Sequence, residues 1–414
     1  MSERYVGTTA LIWPRFGPYH LARLDAAGQR FGREGRHVVG IEIARTDSTY
    51  GWNVAEGAAS FERITIFSSA YDALSPRQIA RAVYETLDRL TPSAVATVGW
   101  SFPEARAGLH WCWRNGRGAI VMSESKRDDA PRMWWKEWVK RRFIRRFDAA
   151  LVGGTPHAEY AAELGIPVER VFLGHNAVDN AYFDKESRTA RADAVRLRAE
   201  LNLPEKFFLS VGRFVPKKNL YRLLEGYAAY RTRSPNPWGL VLCGGGELGN
   251  ELVDLANRMK LVGVSWPGFT QVDLLPSFYG LASAFVLPST VEQWGLVVNE
   301  AMASGLPVLV SRTAGCRYDL VEQGSNGFLF DPFHVEGIGR AMHQMADLSD
   351  DARQAMGQRS REIVGQWGPE RFAEGLWQAT CAALNARGAR HSLATNFFVS
   401  FLAHPWMLRG KNSR

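Results

Sequence analysis

Short apolar runs and amphipathic stretches alternate along this chain. Thr8 to Trp13, Val38 to Ile43, Ala94 to Val98, Ala119 to Met122 and Ala149 to Val152 are brief runs of strand type. Between them, Leu21 to Gly32 reads as a helix, and so does Pro76 to Leu90, with an apolar stripe at Ile79, Val83 and Leu87. From about Lys185 to Glu200 the pattern lapses into charged residues, and a junction is expected near Leu203-Pro204. Then the alternation restarts. Phe207 to Val211, Gly239 to Cys243, Gly263 to Trp266, Ala284 to Leu287 and Pro307 to Val310 are predicted strands. Leu220 to Arg231, Glu247 to Met259 and Leu296 to Ala303 are predicted helices. Strands alternating with helices predict parallel sheets wrapped by helices. Two such blocks predict two Rossmann-like, doubly wound α/β domains facing across a cleft, with ligands outside the carboxyl ends of the strands.

The expected boundaries are 1–200 for the first domain and 201–366 for the second. A helix over 367–385, apolar at Phe372, Leu376 and Ala383, is expected to pack back toward the first domain. A basic, aromatic tail covers 386–414. The length of 414 residues suits two domains, and 46% hydrophobic with 22% charged residues suits a normal core in each. The first residues carry no secretory pattern. No stretch offers the roughly 18 uninterrupted apolar residues of a membrane span. Cys112, Cys243, Cys316 and Cys381 are scattered, which fits neither a zinc site nor a disulfide framework. Reduced thiols in the cytoplasm are the expectation. The formal net charge of +8 suits a nucleic acid, an anionic membrane face or a phosphorylated substrate, without choosing among them.

Chemistry concentrates in three segments. Pro288 to Val310 runs strand, loop, helix, turn, strand. Gly295 stands where the loop enters the helix, so the amides of Leu296, Val297 and Val298 can face an anion. Glu292 lies before that helix and Glu300 inside it, and carboxylates suit the vicinal diols of sugar rings. In the second segment a strand ends in a loop with Gly212, Arg213, Lys217 and Lys218. A guanidinium fork and an ammonium there can neutralise a diphosphate. In the third, Gly244, Gly246 and Gly249 satisfy G-x-G-x-x-G, but the next strand ends in Pro267-Gly268-Phe269 without the acid that a dinucleotide site requires. These glycines are read as backbone that a ligand can approach.

In this order and spacing the segments resemble the C-terminal domain of the retaining glycosyltransferases of the GT-B fold, family four, the glycosyl transferases group one. Glu292 to Glu300 matches the family's Glu-seven-residues-Glu motif, Val211-Gly212-Arg213 with Lys218 its Val-Gly-Arg loop, and Gly244-Gly245-Gly246 its Gly-x-Gly turn. Gly315 to Phe330 and Asn176-Ala177-Val178-Asp179 match further stretches. The resemblance implies that Arg213 and Lys218 hold the diphosphate, aided by amides near Gly295, Leu296 and Val297. It implies Glu300 on the ribose, Glu292 on the transferred sugar, Gly246 beside the donor, and the Gly268-Phe269-Thr270 loop at the base. It also implies retention of configuration, no bound metal and no cofactor beyond the nucleotide-sugar co-substrate, a UDP-sugar being favoured over a GDP-sugar. Gln293-Trp294 replaces the usual Pro-Phe, so the sugar pocket is expected to differ.

On the acceptor side the family's His motif is absent, and Met122 to Asp129 stands in its place. Glu124 is a candidate for the acceptor hydroxyl, as a base, the alternative being a loop carboxylate paired with Lys126 or Arg127. His20 is a second candidate, the alternative being a structural histidine. The segment 132–147 places Trp135, Val139, Phe143 and Phe147 on one face, with Lys136, Lys140, Arg141 and Arg145 elsewhere. Such a helix either lies on an anionic membrane or packs on the sheet with a basic outer face. The tail 386–414 would add a second membrane contact. The expected partners are a nucleotide-sugar, a cell-surface glycan or lipid-linked acceptor, and a peripheral contact with the inner face of the membrane, with no nucleic acid. The rival functions are a nicotinamide-dependent oxidoreductase using Gly244 to Gly249 and a non-enzymatic basic binder of membrane or nucleic acid.

Overall fold

A computed structural model describes residues 7–46 and 60–386. The tail from 387 onward lies outside the described residues, and so does the contact expected of it. The chain forms two units. One comprises the residues up to Ala177 together with those from Pro369, the other Val178–Gly368.

The division falls at Ala177, not near Leu203-Pro204. The charged stretch expected to be a junction forms two helices, Asn180–Ala192 and Ala194–Glu200. The first of them buries Phe183, Ser187 and Ala190 in the second unit. Phe183 meets Tyr279 edge to face at 5.9 Å, and Ser187 Oγ donates to Ser304 Oγ at 2.8 Å. The shift in composition therefore marks the wet face of a helix, and a wet face resembles a linker when read as composition alone.

In the first unit the strands are β1 (Thr9–Trp13), β2 (Val38–Ala44), β3 (Glu62–Phe67), β4 (Ala94–Val98), β5 (Gly118–Ser123), β6 (Ala149–Val152) and β7 (Val171–Leu173). Among the described residues they form one sheet in the order β3-β2-β1-β4-β5-β6-β7, with every pairing parallel. The order reverses between β1 and β4, and a crevice at the carboxyl ends is expected there. The helix Pro369–Asn385 belongs to this unit. Its Phe372, Ala373, Leu376, Ala379 and Ala383 are buried with Leu11, Ala96, Ile120 and Leu151 of the sheet. The contact is close, since a Cβ on Gly375 would stand 2.4 Å from the Leu173 carbonyl.

The second unit holds β8 (Phe207–Val211), β9 (Gly239–Cys243), β10 (Val264–Gly268), β11 (Ala284–Leu287), β12 (Val308–Ser311) and β13 (Gly327–Phe330). Their order is β10-β9-β8-β11-β12-β13, again with all pairings parallel. Phe208, Leu240, Leu242, Val286 and Leu309 pack one face against Leu223, Leu224, Tyr227, Ile338 and Met342. Here the order reverses between β8 and β11. The loops that leave those two strands carry Arg213 with Lys218, and Glu292 with Gly295.

If the terminal helix completes the first unit's core, Leu376→Ala should cost it about 2–5 kcal/mol, as large-to-small core changes do. Urea unfolding should show an earlier transition, and an unchanged midpoint would contradict this packing.

Candidate functional site

The loop after β8 is held in place by backbone. Phe214 N–H donates to Gly245 O at 2.8 Å, Leu248 N–H to Phe214 O at 3.1 Å and Gly212 N–H to Cys243 O at 3.0 Å. Gly244 and Gly246 have φ of +148° and +150°. A Cβ on Gly244 would lie 1.9 Å from Gly212 O, and one on Gly246 would lie 2.7 Å from Phe214 O. These two glycines are needed because one loop lies against another. This differs from the expectation that Gly246 marks backbone a ligand approaches: its near neighbour is Phe214. Open space is found at Gly245, where a Cβ would meet nothing within 4 Å. The same packing accounts for the G-x-G pattern without a dinucleotide.

Lys218 closes this loop onto the next one. Its Nζ pairs with Glu292 Oε2, and both side chains are largely covered. Ser289 Oγ donates to the same carboxylate oxygen at 2.9 Å. Thr290 N–H donates to Lys217 O at 2.9 Å. The buried Asn219, with φ +58°, uses its Nδ2 to reach Pro288 O at 3.0 Å and Pro332 O at 2.7 Å. Asn tolerates this left-handed backbone better than other side chains do. Asn219 was not singled out in the sequence, although a Lys-Asn step between a cationic loop and a helix is a signal for such a cap. Arg213 is exposed on the same loop and lines a small hollow together with Lys218.

Gly295, with φ +107°, opens the helix Leu296–Ala303. The amides of Leu296 and Val297 head that helix, whose geometry supplies them no intrahelical acceptor. Inside it, Glu300 is 1% exposed and accepts from Tyr279 Oη at 2.8 Å. It is therefore no solvated surface charge. Trp294 lies in the core. It is 1% exposed, its Nε1 donates to Asn299 Oδ1 at 2.8 Å, and its ring lies 5.2 Å from that of Trp367. Trp294 therefore fills the core behind the helix, while Gln293 is exposed. Phe269 is half-exposed after β10, and Gly268 O accepts from Gly244 N–H at 2.8 Å. Arg213, Lys218, Glu292 and the start of the helix are thus gathered on the two loops at the reversal of strand order, with Phe269 on the loop after β10.

In the first unit, His20 Nδ1 accepts from Gly17 N–H at 2.8 Å and caps its own helix, Pro18–Gly32. Burial, then Arg23 and Arg15, push its pKa down to about 3. It is neutral at pH 7, and with Nδ1 accepting, the proton sits on Nε2. His20 therefore presents a donor there and not a base. Near Glu124, Lys126 pairs with Asp128 and Arg127 with Glu163. It stands 3.8 Å from Nε2 of the buried His175, and its charge favours the charged form of Arg23. Arg23 is 2% exposed and donates from Nε to Ala177 O at 2.9 Å. Burial holds His175 well below the usual histidine range, with Arg23 and His20 adding to it. Arg23 and His175 were missed in the sequence, because no motif links residues brought together only by the ends of β1, β5 and β7.

The 132–147 segment forms the helix Trp134–Ile144. Its buried side is Lys140, Phe143 and Ile144, and Phe147 is buried just beyond. Trp135 was expected on that side and is half-exposed, as is Trp138, while Trp134 is 83% exposed. Lys140 was expected outside and is buried, donating to Tyr160 Oη at 3.0 Å. No described helix is long and apolar enough to cross a membrane.

Residues 193–363 match the family model described as Glycosyl transferases group 1. The chain is 29% identical to a sulfoquinovosyl transferase of Arabidopsis thaliana over 275 residues, 64% of this chain and 49% of that one. It is 31% identical to a lipopolysaccharide core biosynthesis glycosyltransferase of Rhizobium meliloti over 238 residues, 57% of this chain and 65% of the relative. The match thus spans from half to just under two thirds of these relatives. Among solved structures, the Anabaena protein HepE in complex with UDP superposes with a TM-score of 0.70 at 17% identity, covering 91% of this chain and 99% of that one. That likeness carries the fold, which is the GT-B architecture of two Rossmann-like units.

If Trp294 serves packing and not a ligand, Trp294→Phe should lower stability by about 1–3 kcal/mol, the cost of stranding a buried Asn299 oxygen. UDP affinity should not change. A variant of native stability that binds UDP poorly would reverse this assignment.

Proposed function

We propose that this chain, which through residues 193–363 belongs to the glycosyl transferases group 1, moves a sugar from a nucleotide-sugar to a glycan or lipid-linked acceptor with retention of configuration. The observation that carries the reading is the Lys218–Glu292 pair, set beside Arg213 and a helix N-terminus at the strand-order reversal of the second unit. A diphosphate needs fixed positive charge, and Arg213, Lys218 and the amides of Leu296 and Val297 offer it on adjacent loops. Glu292 takes hydroxyls of the transferred sugar, Glu300 those of the ribose, and the Phe269 loop meets the base. Gly246 keeps a supporting part through Phe214. UDP is the favoured nucleotide, in keeping with the UDP of the Anabaena neighbour.

In the reaction, the bond between sugar C1 and the diphosphate oxygen breaks, and the nucleoside diphosphate leaves with the electron pair. The acceptor oxygen bonds to C1, and its proton passes to the leaving diphosphate or to a base. Negative charge grows on the leaving group, so preorganised cations lower the barrier directly. No metal is assigned a part. Glu124 is proposed to meet the acceptor, and His20 to donate to it from Nε2.

Exposed Trp134, Trp135 and Trp138 beside Lys136, Arg141 and Arg142 suit an anionic bilayer surface, where aromatic rings sit at headgroup level. Peripheral attachment there would bring a lipid-linked acceptor within reach.

Three outcomes follow. A thermal-shift screen over UDP-, GDP- and ADP-sugars should raise the unfolding temperature most with UDP, and a response to none of them would remove the reading. Glu292→Ala should abolish sugar transfer while the circular dichroism spectrum stays native, whereas turnover at the wild-type rate would remove its role. Trp134→Ala with Trp138→Ala should release the protein from phosphatidylglycerol vesicles, and co-sedimentation equal to wild type would set the membrane contact aside.

A further inference from the structure

The donor loops leave the carboxyl ends of β8 and β11. At the other ends of β11 and β12, roughly 10 Å away along four-residue strands, lies a hollow of about 440 Å³. Arg188 and Arg191 line it from the helix Asn180–Ala192, and Arg353 and Arg361 from the helix Asp350–Val364. Gly305 lies between them, at the turn into β12.

Its charge is not balanced by the side chains it bonds to. Asp184 serves two of the arginines, accepting from Arg188 Nε at 3.0 Å and from Arg361 Nε at 2.9 Å. Among the described residues Arg191 bonds to a carbonyl, that of Ser304, which Arg361 Nη2 also reaches at 3.2 Å. Arg353 pairs with Asp350, which Lys206 shares at 3.0 Å. Among the described residues, four lining guanidiniums are thus met by two carboxylates. Burial, and next the neighbouring Arg361, push the Arg191 pKa down to about 10, against the pull of Asp184.

The forks are also held in place. A Cβ on Gly305, where φ is +78°, would stand 2.1 Å from Arg361 Cζ, so the guanidinium lies against bare backbone. A Cβ on Gly357 would stand 2.1 Å from Gly305 O, so that glycine lets the whole helix approach. Planar forks with fixed orientation suit the oxygens of a phosphate better than a diffuse charge does. The volume admits more than a bare ion and is within the range of small-molecule sites.

We propose that this hollow binds a phosphate monoester carried on a small polar body, of hexose-phosphate size, separately from the nucleotide-sugar loops. The same headgroup chemistry could come free in solution or on a lipid. Calorimetry on the full chain with glucose 6-phosphate, and with glucose as the neutral control, tests the free form. Vesicles of phosphatidylcholine with phosphatidic acid test the lipid form. Glucose 6-phosphate should bind and glucose should not. Arg191→Gln and Arg188→Gln should each weaken that binding at least tenfold, with UDP affinity unchanged. Arg188 is mostly exposed, so its variant keeps the test open if Arg191→Gln unfolds. Binding to the phosphatidic acid vesicles alone, lost in the same variants, would support the site and assign it to a headgroup. No binding of either form at millimolar concentration, or equal binding by the variants, would overturn it.

Discussion

The second unit turns on one ion pair. Lys218 leaves the loop after β8, Glu292 leaves the loop after β11, and the two meet where the strand order reverses. Both are largely covered, so water does little to screen them, and deleting either strands the other in a poor solvent. The pair fixes the distance between two loops that nothing in the sheet's hydrogen bonding fixes. Thr290 and Asn219 add neutral ties across the same gap. In the proposed reaction this is also the point of exchange. A diphosphate competes with Glu292 for Lys218, and a sugar hydroxyl gives Glu292 another partner. A pair that is neutral at rest and divides its charges when the ligand enters avoids holding a lone cation in a covered place.

That arrangement rests on glycine. The cationic loop could not lie where it does if Gly244 or Gly246 carried a side chain, because the backbone at 212–214 occupies that space. A pattern that suggests phosphate binding by itself proves to be the support for the loop that carries the cations. Trp294 plays a comparable part for the helix N-terminus, filling the core behind it with Trp367 and Asn299.

Much of this was legible in the sequence. β4, β6, β8, β9 and β11 have the predicted ends, because each is a short apolar run bounded by polar or turn residues. β3 was not predicted. It is an edge strand, only partly buried, and its Glu62, Arg63 and Thr65 read as surface. β7 has three residues, too few for any period to show. The loops proposed to hold the donor stood out in the sequence because Arg213 with Lys218, and Glu292 with Glu300, lie in continuous segments whose order is itself a signal. The cluster of His20, Arg23, Glu124 and His175 was legible only through His20 and Glu124, since its members come from three separate segments and acquire their meaning only from shared burial. The direction of the tryptophans on the helix Trp134–Ile144 was missed for a related reason. Periodicity chose Trp135 for the core, but the sheet took Lys140 and Ile144 instead, with Tyr160 supplying a partner for the ammonium.

In the proposed reaction Lys218 stands between a carboxylate and a diphosphate. Calorimetric titration of UDP and of uridine into wild type and Lys218→Met tests it most directly. The variant should lose at least tenfold in UDP affinity, about the value of one charge-assisted hydrogen bond, while uridine binds both proteins alike. UDP binding that is equal in the two proteins would contradict it.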